Sequence, residues 1–400
     1  MSFPKSIWRW AFYDFANSGY ILTYASFLLP VFFSTILIKN GYSLGAWGVA
    51  NAIATVIGVA LSVVIGKYSD SKSKFSAFKW SILFSFFGMV AVALSVGYTV
   101  GWVYYLFIAT QSVFILSLSL SDSILPYLAT KEESFEYSGF AWGFGYVGGI
   151  IALVLVIIFQ KFTGDDYDPL VFLSTAFFYL IFSVYSLRGL KEVKMNEQPL
   201  EQKKKLLSTK QKFLLLFGYW LISEGITIIL LFFSIFLSKE LGFTTLKIGM
   251  CLLLVQLIGF PATWYGGYLA KKYDILKLLG LTILFWGIAI LFLVVNVGMI
   301  GLVLLIIFGA LAVGNSQSFL RAQYSNLIDR HESGFQFGIY TIVSEAAVFV
   351  GPIIYGFASD WLHSQKIPLI FLFCSMAIGY VLIWNVIKKL RANPNIIFLP

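Results

Sequence analysis

The chain has 400 residues, of which 59% are hydrophobic and only 12% are charged, and its formal net charge is +9. A soluble domain has about 25% charged residues because its surface must face water, so this composition excludes a soluble globular protein. Long apolar runs recur along the chain, and each can cross about 30 Å of hydrocarbon as a helix. The sequence therefore predicts an all-α polytopic membrane protein.

Twelve membrane spans are predicted in chain order. They cover residues 8–38, 43–66, 76–97, 102–128, 137–160, 169–188, 211–238, 245–270, 276–296, 299–329, 334–361 and 367–388. A charged polar stretch at 188–212 separates the sixth span from the seventh. We expect residues 1–188 to form an N-terminal six-helix half, 189–210 a cytoplasmic linker, and 211–400 a C-terminal six-helix half.

Lysine and arginine are distributed unequally between the two predicted sides of the membrane. The side with both termini and the linker carries 23 of the 28, and the other side carries five. The positive-inside rule therefore predicts that both termini are cytoplasmic. The basic excess is explained by topology and by attraction to anionic lipid, so no nucleic-acid partner is expected. We expect a multi-pass protein of the cytoplasmic membrane.

Two short patterns recur in the second half of the chain. SGFAWG at 138–143 returns as SGFQFG at 333–338, an offset of 195 residues, and both open an outgoing span. GKYSDSKSK at 66–74 aligns with GYLAKKYDI at 267–275, an offset of 201. The offsets indicate two parallel six-span repeats. Lys271 in the second loop occupies the position of Asp70 in the first. We interpret this loss of the acidic residue as an erosion of the motif.

The loop after the second span resembles the major facilitator superfamily signature G-x-x-x-D-(R/K)-x-G-(R/K)-(R/K). Gly66, Asp70 and Lys74 match this signature, and Ser71 and Ser73 depart from it. The resemblance implies two parallel six-helix halves around a central cavity. It also implies that the three matching residues belong to a cytoplasmic gate.

Several segments together resemble a narrower family. These segments are YDFANSGY at 13–20, SDSILPYLA at 121–129, ISEGIT at 222–227 and NSQSFLRAQYSNLID at 315–329. They are similar to motifs of the vacuole-effluxer-like family, a facilitator branch that includes the fungal vacuolar amino-acid effluxer. The resemblance implies transport of a small solute, with an amino acid as the leading candidate.

Five ionisable residues lie inside the predicted spans: Asp14, Asp122, Glu224, Arg321 and Glu345. Each opposes insertion by about 2.5–3.5 kcal/mol at mid-bilayer, so these side chains must face protein or water. The resemblance implies that spans 1, 4, 7 and 10 line the cavity, and the first four residues fall on those spans. Polar or aromatic residues share their faces at helical spacing, and we include them as candidate substrate or coupling residues: Asn17, Tyr24, Trp220 and Gln317.

The roles of these residues are left open by the sequence. Asp14, Asp122 and Arg321 either form a gate network between the halves or contact substrate directly, and Arg321 suits a substrate carboxylate. Glu224 is predicted to carry a proton. Glu345 is either a second proton carrier or a neutral acid buried by packing.

The sequence predicts a secondary active or facilitative transporter that works by alternating access, with proton coupling as one option. The alternative is a non-transporting sensor or a lipid scramblase on the same scaffold. No P-loop pattern is present, so ATP-driven transport is not expected, and His331 and His363 lack ligand spacing, so no metal site is expected. DDYD at 165–168 has three carboxylates in a short external loop and no second acidic motif, so we expect an acidic solvated loop, no enzyme and no cofactor. The expected partners are a small solute, protons and the lipid bilayer, and the protein is expected to be a monomer.

Overall fold

The computed structural model describes residues 3–30, 32–33, 45–96, 100–164, 168–191, 193, 207–239, 241–295, 298–364 and 366–392. Most of the predicted linker and the end of the first predicted span lie outside these residues. The helices are α1 Lys5–Gly19, α2 Gly45–Ser71, α3 Lys74–Ser95, α4 Val100–Asp122, α5 Ser134–Thr163, α6 Pro169–Leu190, α7 Thr209–Lys239, α8 Thr245–Leu269, α9 Ile275–Val295, α10 Gly298–Leu327, α11 Ser333–Trp361 and α12 Ile367–Arg391. Three short segments add to them: a π-helix Tyr20–Leu28, one α-turn Leu125–Leu128 and a 3₁₀ turn Arg330–Glu332.

Eleven of the described helices, α2 to α12, are long and apolar enough to cross a membrane. The described part of the first predicted span is also helical, because the π-helix continues α1. Several helices begin at polar caps, as expected where free backbone N–H groups need acceptors. Asp168 accepts a hydrogen bond from the Leu170 amide ahead of α6, and Ser73 accepts one from the Ser76 amide ahead of α3. The prediction of an all-α polytopic membrane protein is confirmed.

The described chain forms two compact units, and their helices pack in the same pattern. In the first unit, α4 packs on α2 and α3, while α6 packs on α1 and α3. In the second unit, α10 packs on α8 and α9, while α12 packs on α7 and α9. Adding six to each helix number converts the first set into the second. The repeat found in the sequence is therefore also present in the helix packing.

Each unit includes a short segment from the other end of the chain. The first unit contains residues 330–341, the start of α11, and the second contains residues 129–143, the start of α5. The predicted division into halves at the 189–210 linker stays a prediction. The two exchanged segments hold the SGFAWG and SGFQFG repeats, so the recurring motifs lie where helices of different halves meet within one unit.

A bidentate ion pair in the second unit joins the end of α12 to the start of α9. Arg391 donates from Nη1 to Asp274 Oδ2 at 2.6 Å and from Nη2 to Asp274 Oδ1 at 3.2 Å. Partial burial would raise the pKa of Asp274, but the hydrogen bonds from Arg391 and from the Leu276 amide outweigh burial and hold this pKa below its usual 3.8. The pair therefore stabilises the folded protein while Asp274 is ionised.

We expect Arg391→Gln to destabilise the protein by about 1 kcal/mol at neutral pH, because the pair is well aligned but partly exposed. A depressed carboxyl pKa contributes stability above the unfolded pKa and loses it as pH falls through the folded value. Thermal unfolding of the detergent-solubilised variant should therefore approach that of the parent as the pH falls through the lowered pKa of Asp274. Lys388→Gln removes an exposed charge from the same turn and should change little. A deficit that is equally large at acid pH would contradict this prediction.

Candidate functional site

The polar residues of α1 lie where this helix meets α5. Asp14 and Asn17 are only 4% and 8% exposed, and Asn17 Nδ2 donates to Asp14 Oδ1 at 3.3 Å. A Cβ on Gly145 of α5 would lie 3.0 Å from the Asp14 carbonyl oxygen, and one on Gly148 would clash with the backbone of Phe15. The α5 glycines therefore allow close backbone approach, which holds the Asp14 and Asn17 pair inside the first unit.

Tyr24 lies in the π-helix rather than in regular α-helix. Its ring stacks on Tyr20 at 5.1 Å between centroids and meets Phe172 of α6 edge-on at 6.1 Å. Its hydroxyl is buried and has no hydrogen-bond partner among the described residues, whereas Tyr20 donates to Gln111 at 2.7 Å. Because π-helical spacing changes the rotation per residue, the face predicted from Asp14 to Tyr24 does not continue regularly past Gly19.

The predicted gate residues come together where α11 crosses α2, which we call the α2–α11 crossing. Asp70 accepts hydrogen bonds from the amides of Gly334 and Phe335, each at 2.8 Å, and forms an ion pair with Lys74. A Cβ on Gly66 would clash with the Gly334 carbonyl, so these backbones touch. A carboxylate on the first amides of a helix stabilises it by about 1 kcal/mol and complements the helix dipole. Asp70 therefore fastens the start of α11 to α2.

Asp122, another predicted site residue, ends α4 beside the α2–α11 crossing. It is half-buried, and the regular helix stops there before the turn at Leu125–Leu128. The next residue, Ser123, accepts a hydrogen bond through its carbonyl from the Ser333 hydroxyl at 2.8 Å. The end of α4 is thus tied to the first residue of α11.

A second crossing lies in the other unit, where α5 passes α8, and we call it the α5–α8 crossing. A Cβ on Gly139 would lie 2.6 Å from the Thr263 carbonyl oxygen and 3.1 Å from the Gly267 Cα. Lys271, in the loop after α8, forms an ion pair with Glu136 in the first turn of α5. Lys271 thus has an acidic partner that sequence reasoning missed, and its interpretation as an erosion of the acidic position stays a prediction.

Arg321, on α10, also contacts the start of α5. The residue is 2% exposed, and its guanidinium donates from Nε to Ser138 Oγ at 2.9 Å and from Nη2 to the Ser138 carbonyl at 3.0 Å. Its carbon Cζ lies 5.0 Å from the ring centroid of Trp142, within cation–π range. The Ser138 hydroxyl in turn donates to the Ser318 carbonyl at 2.9 Å. Arg321 therefore joins α10 to α5 through two hydrogen bonds and an aromatic face.

The remaining predicted residues lie elsewhere in the second unit. Glu224 of α7 is 6% exposed, and a Cβ on Gly351 of α11 would lie 2.9 Å from its Cγ. Glu345, on α11, is half-buried, and neither acid has a hydrogen-bond or ion-pair partner among the described residues. Gln317 is half-buried on α10, likewise without a hydrogen bond to any described residue. Trp220 stacks on Phe217 at 5.6 Å one turn before Glu224.

The structure thus distributes the predicted residues between several places. Asp70, Lys74 and Gly66 form one contact, and Arg321 forms another, while Glu224 lies apart as an unpaired acid in the described chain. Glu136, Ser138 and Trp142 were missed by the sequence analysis. The SGFAWG repeat indicated that 138–143 is special, but a repeat alone does not show which distant side chains pair with it.

Comparison with known proteins identifies relatives along nearly the whole chain. The family model of the Major Facilitator Superfamily matches residues 138–352. A Bacillus subtilis (strain 168) protein named as an uncharacterized MFS-type transporter, YxiO, is 23% identical over 95% of this chain and 94% of its own. The solved proton:xylose symporter XylE has a TM-score of 0.73 at 14% identity, with 95% of each chain covered. The human organic anion transporter MFSD10 has a TM-score of 0.71 at 12% identity, covering 94% of this chain and 98% of its own.

Proposed function

The chain belongs to the Major Facilitator Superfamily, a family of membrane transporters and not of enzymes, and on that basis we propose that it moves a small polar solute across the membrane by alternating access. An amino acid is the leading substrate. The YDFANSGY and SFLRAQYSNLI segments, which resemble the vacuole-effluxer-like family, support this choice. Glu224 carries the proposal, because a carboxyl group that is 6% exposed within a predicted span has no partner among the described residues.

Two chemical uses suit an acid in that position. A carboxylate can bind the ammonium group of a zwitterion, and a protonated carboxyl group can carry a proton through a part of the membrane where an unpaired charge is costly. Both uses require Glu224 to be free of a permanent cationic partner. We propose that it does both in turn, so that solute and proton movements are coupled.

Alternating access also needs contacts that close one side and then separate. The α2–α11 and α5–α8 crossings are suited to this, because each combines a close backbone approach with an ion pair. Buried ion pairs contribute little net stability while intact, yet are costly to leave with one partner, so they favour two discrete arrangements. We propose that both crossings form when the predicted cytoplasmic side is closed. Asp122 ends α4, and the residue after it bonds to the start of α11, whereas Asp14 and Asn17 lie where α1 meets α5. We propose that all three support the closed arrangement.

Counterflow in proteoliposomes tests the proposal without assuming a coupling ion. Vesicles are loaded with unlabelled amino-acid pools, and labelled amino acids are added outside with no ion gradient. Accumulation of label by one pool, absent from protein-free vesicles, is the expected result and identifies the substrate class. A pool of sugars and a pool of organic anions serve as comparisons, since two structural relatives are named for such solutes.

The alternative functions predict a different outcome in the same vesicles. A sensor gives no counterflow with any pool, and a scramblase instead moves a fluorescent lipid between leaflets. Folded protein, verified by a monodisperse profile and cooperative thermal unfolding, that shows either behaviour would contradict the transport proposal. We also propose that the protein lies in the cytoplasmic membrane and acts as a monomer. Both termini are proposed to be cytoplasmic, because lysine and arginine concentrate on one predicted side.

A further inference from the structure

The two crossings are built on the same backbone contacts. Gly66 meets Gly334 in the first unit, and Gly267 meets Gly139 in the second. The sequence repeat relates these pairs. Gly267 lies 201 residues after Gly66, which is the offset of the loop motif. Gly334 lies 195 residues after Gly139, which is the offset of the SGFAWG motif. The geometry of the crossing is thus conserved between the two repeats of this chain, while its charges differ.

The difference in charge follows from where the crossing helix begins. Helix α11 begins at Ser333, so the amides of Gly334 and Phe335 are in its first turn and are free to donate to Asp70. The first amides of a helix have no acceptor within the helix. An aspartate in the last turn of α2 is therefore the suitable partner at the α2–α11 crossing.

At the α5–α8 crossing the equivalent amides are already used. Helix α5 begins at Ser134, one turn before Ser138, which corresponds to Ser333 in the repeat. The amides of Gly139 and Phe140 therefore lie inside the helix, where each donates to the carbonyl four residues before it. An aspartate at position 271 would find no free donor there.

The additional turn of α5 supplies an acid instead. Glu136 lies in that turn with its side chain only 3% exposed, and the 35% exposed Lys271 reaches it from the loop after α8. Glu133, just before α5, also lies within electrostatic reach of Lys271, but it is only half-buried and accepts hydrogen bonds from Thr130 and Tyr137. Glu136 is therefore the buried acid that depends on the lysine.

We infer that Glu136 and Lys271 are gate residues of the transport cycle, forming a charge-inverted counterpart of the Asp70 contact. The inference rests on the proposed function, since a gate has a role only if the two sides open in turn. It also predicts an asymmetry between the partners. Losing Lys271 leaves a buried carboxylate unpaired, whereas losing Glu136 leaves a lysine that can turn toward water.

Accessibility of a reporter cysteine tests this inference without any substrate. Thr263 is fully buried beside Gly139, so Thr263→Cys reports separation of α5 from α8 when Cys251 and Cys374 are replaced by serine. The probe is a membrane-impermeant maleimide applied to inside-out membrane vesicles. Lys271→Gln should increase the labelling rate at least about tenfold, while Glu136→Gln should change it less than about threefold.

Two double variants sharpen the test. Lys271→Gln with Glu136→Gln removes both charges and allows an amide pair, so labelling should return to within about threefold of the parent. Lys271→Asp with Glu136→Ala introduces an acid at the position equivalent to Asp70 but should still label rapidly, because the backbone of α5 offers no free amide at this place. Lys272→Gln is the matched control, since its ammonium lies over the Tyr268 ring at 4.9 Å and not on Glu136.

Each outcome either supports or overturns the inference. If Lys271→Gln labels at the same rate as the parent, the inference is overturned. It is also overturned if the double-glutamine variant labels rapidly while its thermal midpoint is unchanged. Slow labelling of the Lys271→Asp, Glu136→Ala variant overturns the account based on the start of α5. If Lys271→Gln opens the reporter site but no pool gives counterflow, the contact separates as inferred and the transport proposal alone fails.

Discussion

Replacing Arg321 with alanine should lower counterflow by about 100-fold or more. Arg321 is buried and supplies two hydrogen bonds to Ser138 as well as a cation over Trp142. Truncation leaves the Ser138 carbonyl without this donor and opens a cavity beside α5. Each hydrogen bond to a charged group contributes about 1.5–3 kcal/mol, and each 1.4 kcal/mol corresponds to tenfold in an equilibrium. The change therefore disfavours the arrangement in which α5 is fastened to α10.

The same variants separate the two roles that the sequence leaves open for Arg321. If Arg321 fastens α5, then Ser138→Ala should also lower the maximal rate and leave the apparent affinity for solute nearly unchanged. If it binds a substrate carboxylate, Arg321→Lys should mainly raise KM, and a decarboxylated analogue should compete equally in parent and variant. Trp142→Phe keeps an aromatic face and should have a smaller effect than Ser138→Ala. A normal maximal rate in Arg321→Ala would contradict the gate role.

Glu224→Gln should abolish accumulation driven by a pH gradient while retaining exchange. Glutamine is nearly isosteric and can still accept a hydrogen bond, but it cannot bind and release a proton. Because Glu224 has no partner among the described residues, the substitution leaves no ion pair broken there. We expect uptake under an inward proton gradient to fall at least about tenfold, with gradient-free counterflow within about twofold of the parent.

Glu345→Gln is the matched control for this result. Glu345 is the other intramembrane acid of the second unit without a partner in the described chain, but it is half-buried on α11. If it is a packing residue, its variant keeps pH-driven uptake. If both variants lose uptake, the two acids share the proton. Undiminished pH-driven uptake by Glu224→Gln would exclude the proton role of Glu224.

Much of the fold can be predicted from the sequence because a bilayer imposes simple requirements on it. Length and apolarity specify the spans, and basic residues predict their orientation. The motifs that begin at Gly66 and Gly267 also predicted that the loops after the second and eighth spans are equivalent. The helix packing agrees, because the contacts of each helix in the first unit recur six helices later in the second. These features depend on local composition or on spacing, which a single sequence displays directly.

The site was less predictable, because its contacts depend on distant partners and on local helix geometry. Glu136 was overlooked because its role depends on where α5 begins. Helix α11 begins at the first residue of its repeated motif, whereas α5 begins one turn before its own motif. The acidic partner of Lys271 was missed for the same reason. The position of Tyr24 was extrapolated with regular α-helical rotation, which the π-helix after Gly19 interrupts. Helix ends and π-segments are set by small differences in backbone energy that residue types do not display.

The exchanged segments have a consequence for how the chain is made. Ser138 bonds to Arg321 across 183 residues of sequence, and Asp70 bonds to Gly334 across 264. During synthesis the first turns of α5 must therefore wait, with Glu136 unpaired, until α8 and its loop have been inserted. Folding of either unit cannot finish before the later helices exist, and long-range closure of this kind is slow. An isolated fragment 1–188 would thus carry an uncovered acid and an unmatched glycine face, which only the complementary fragment can cover.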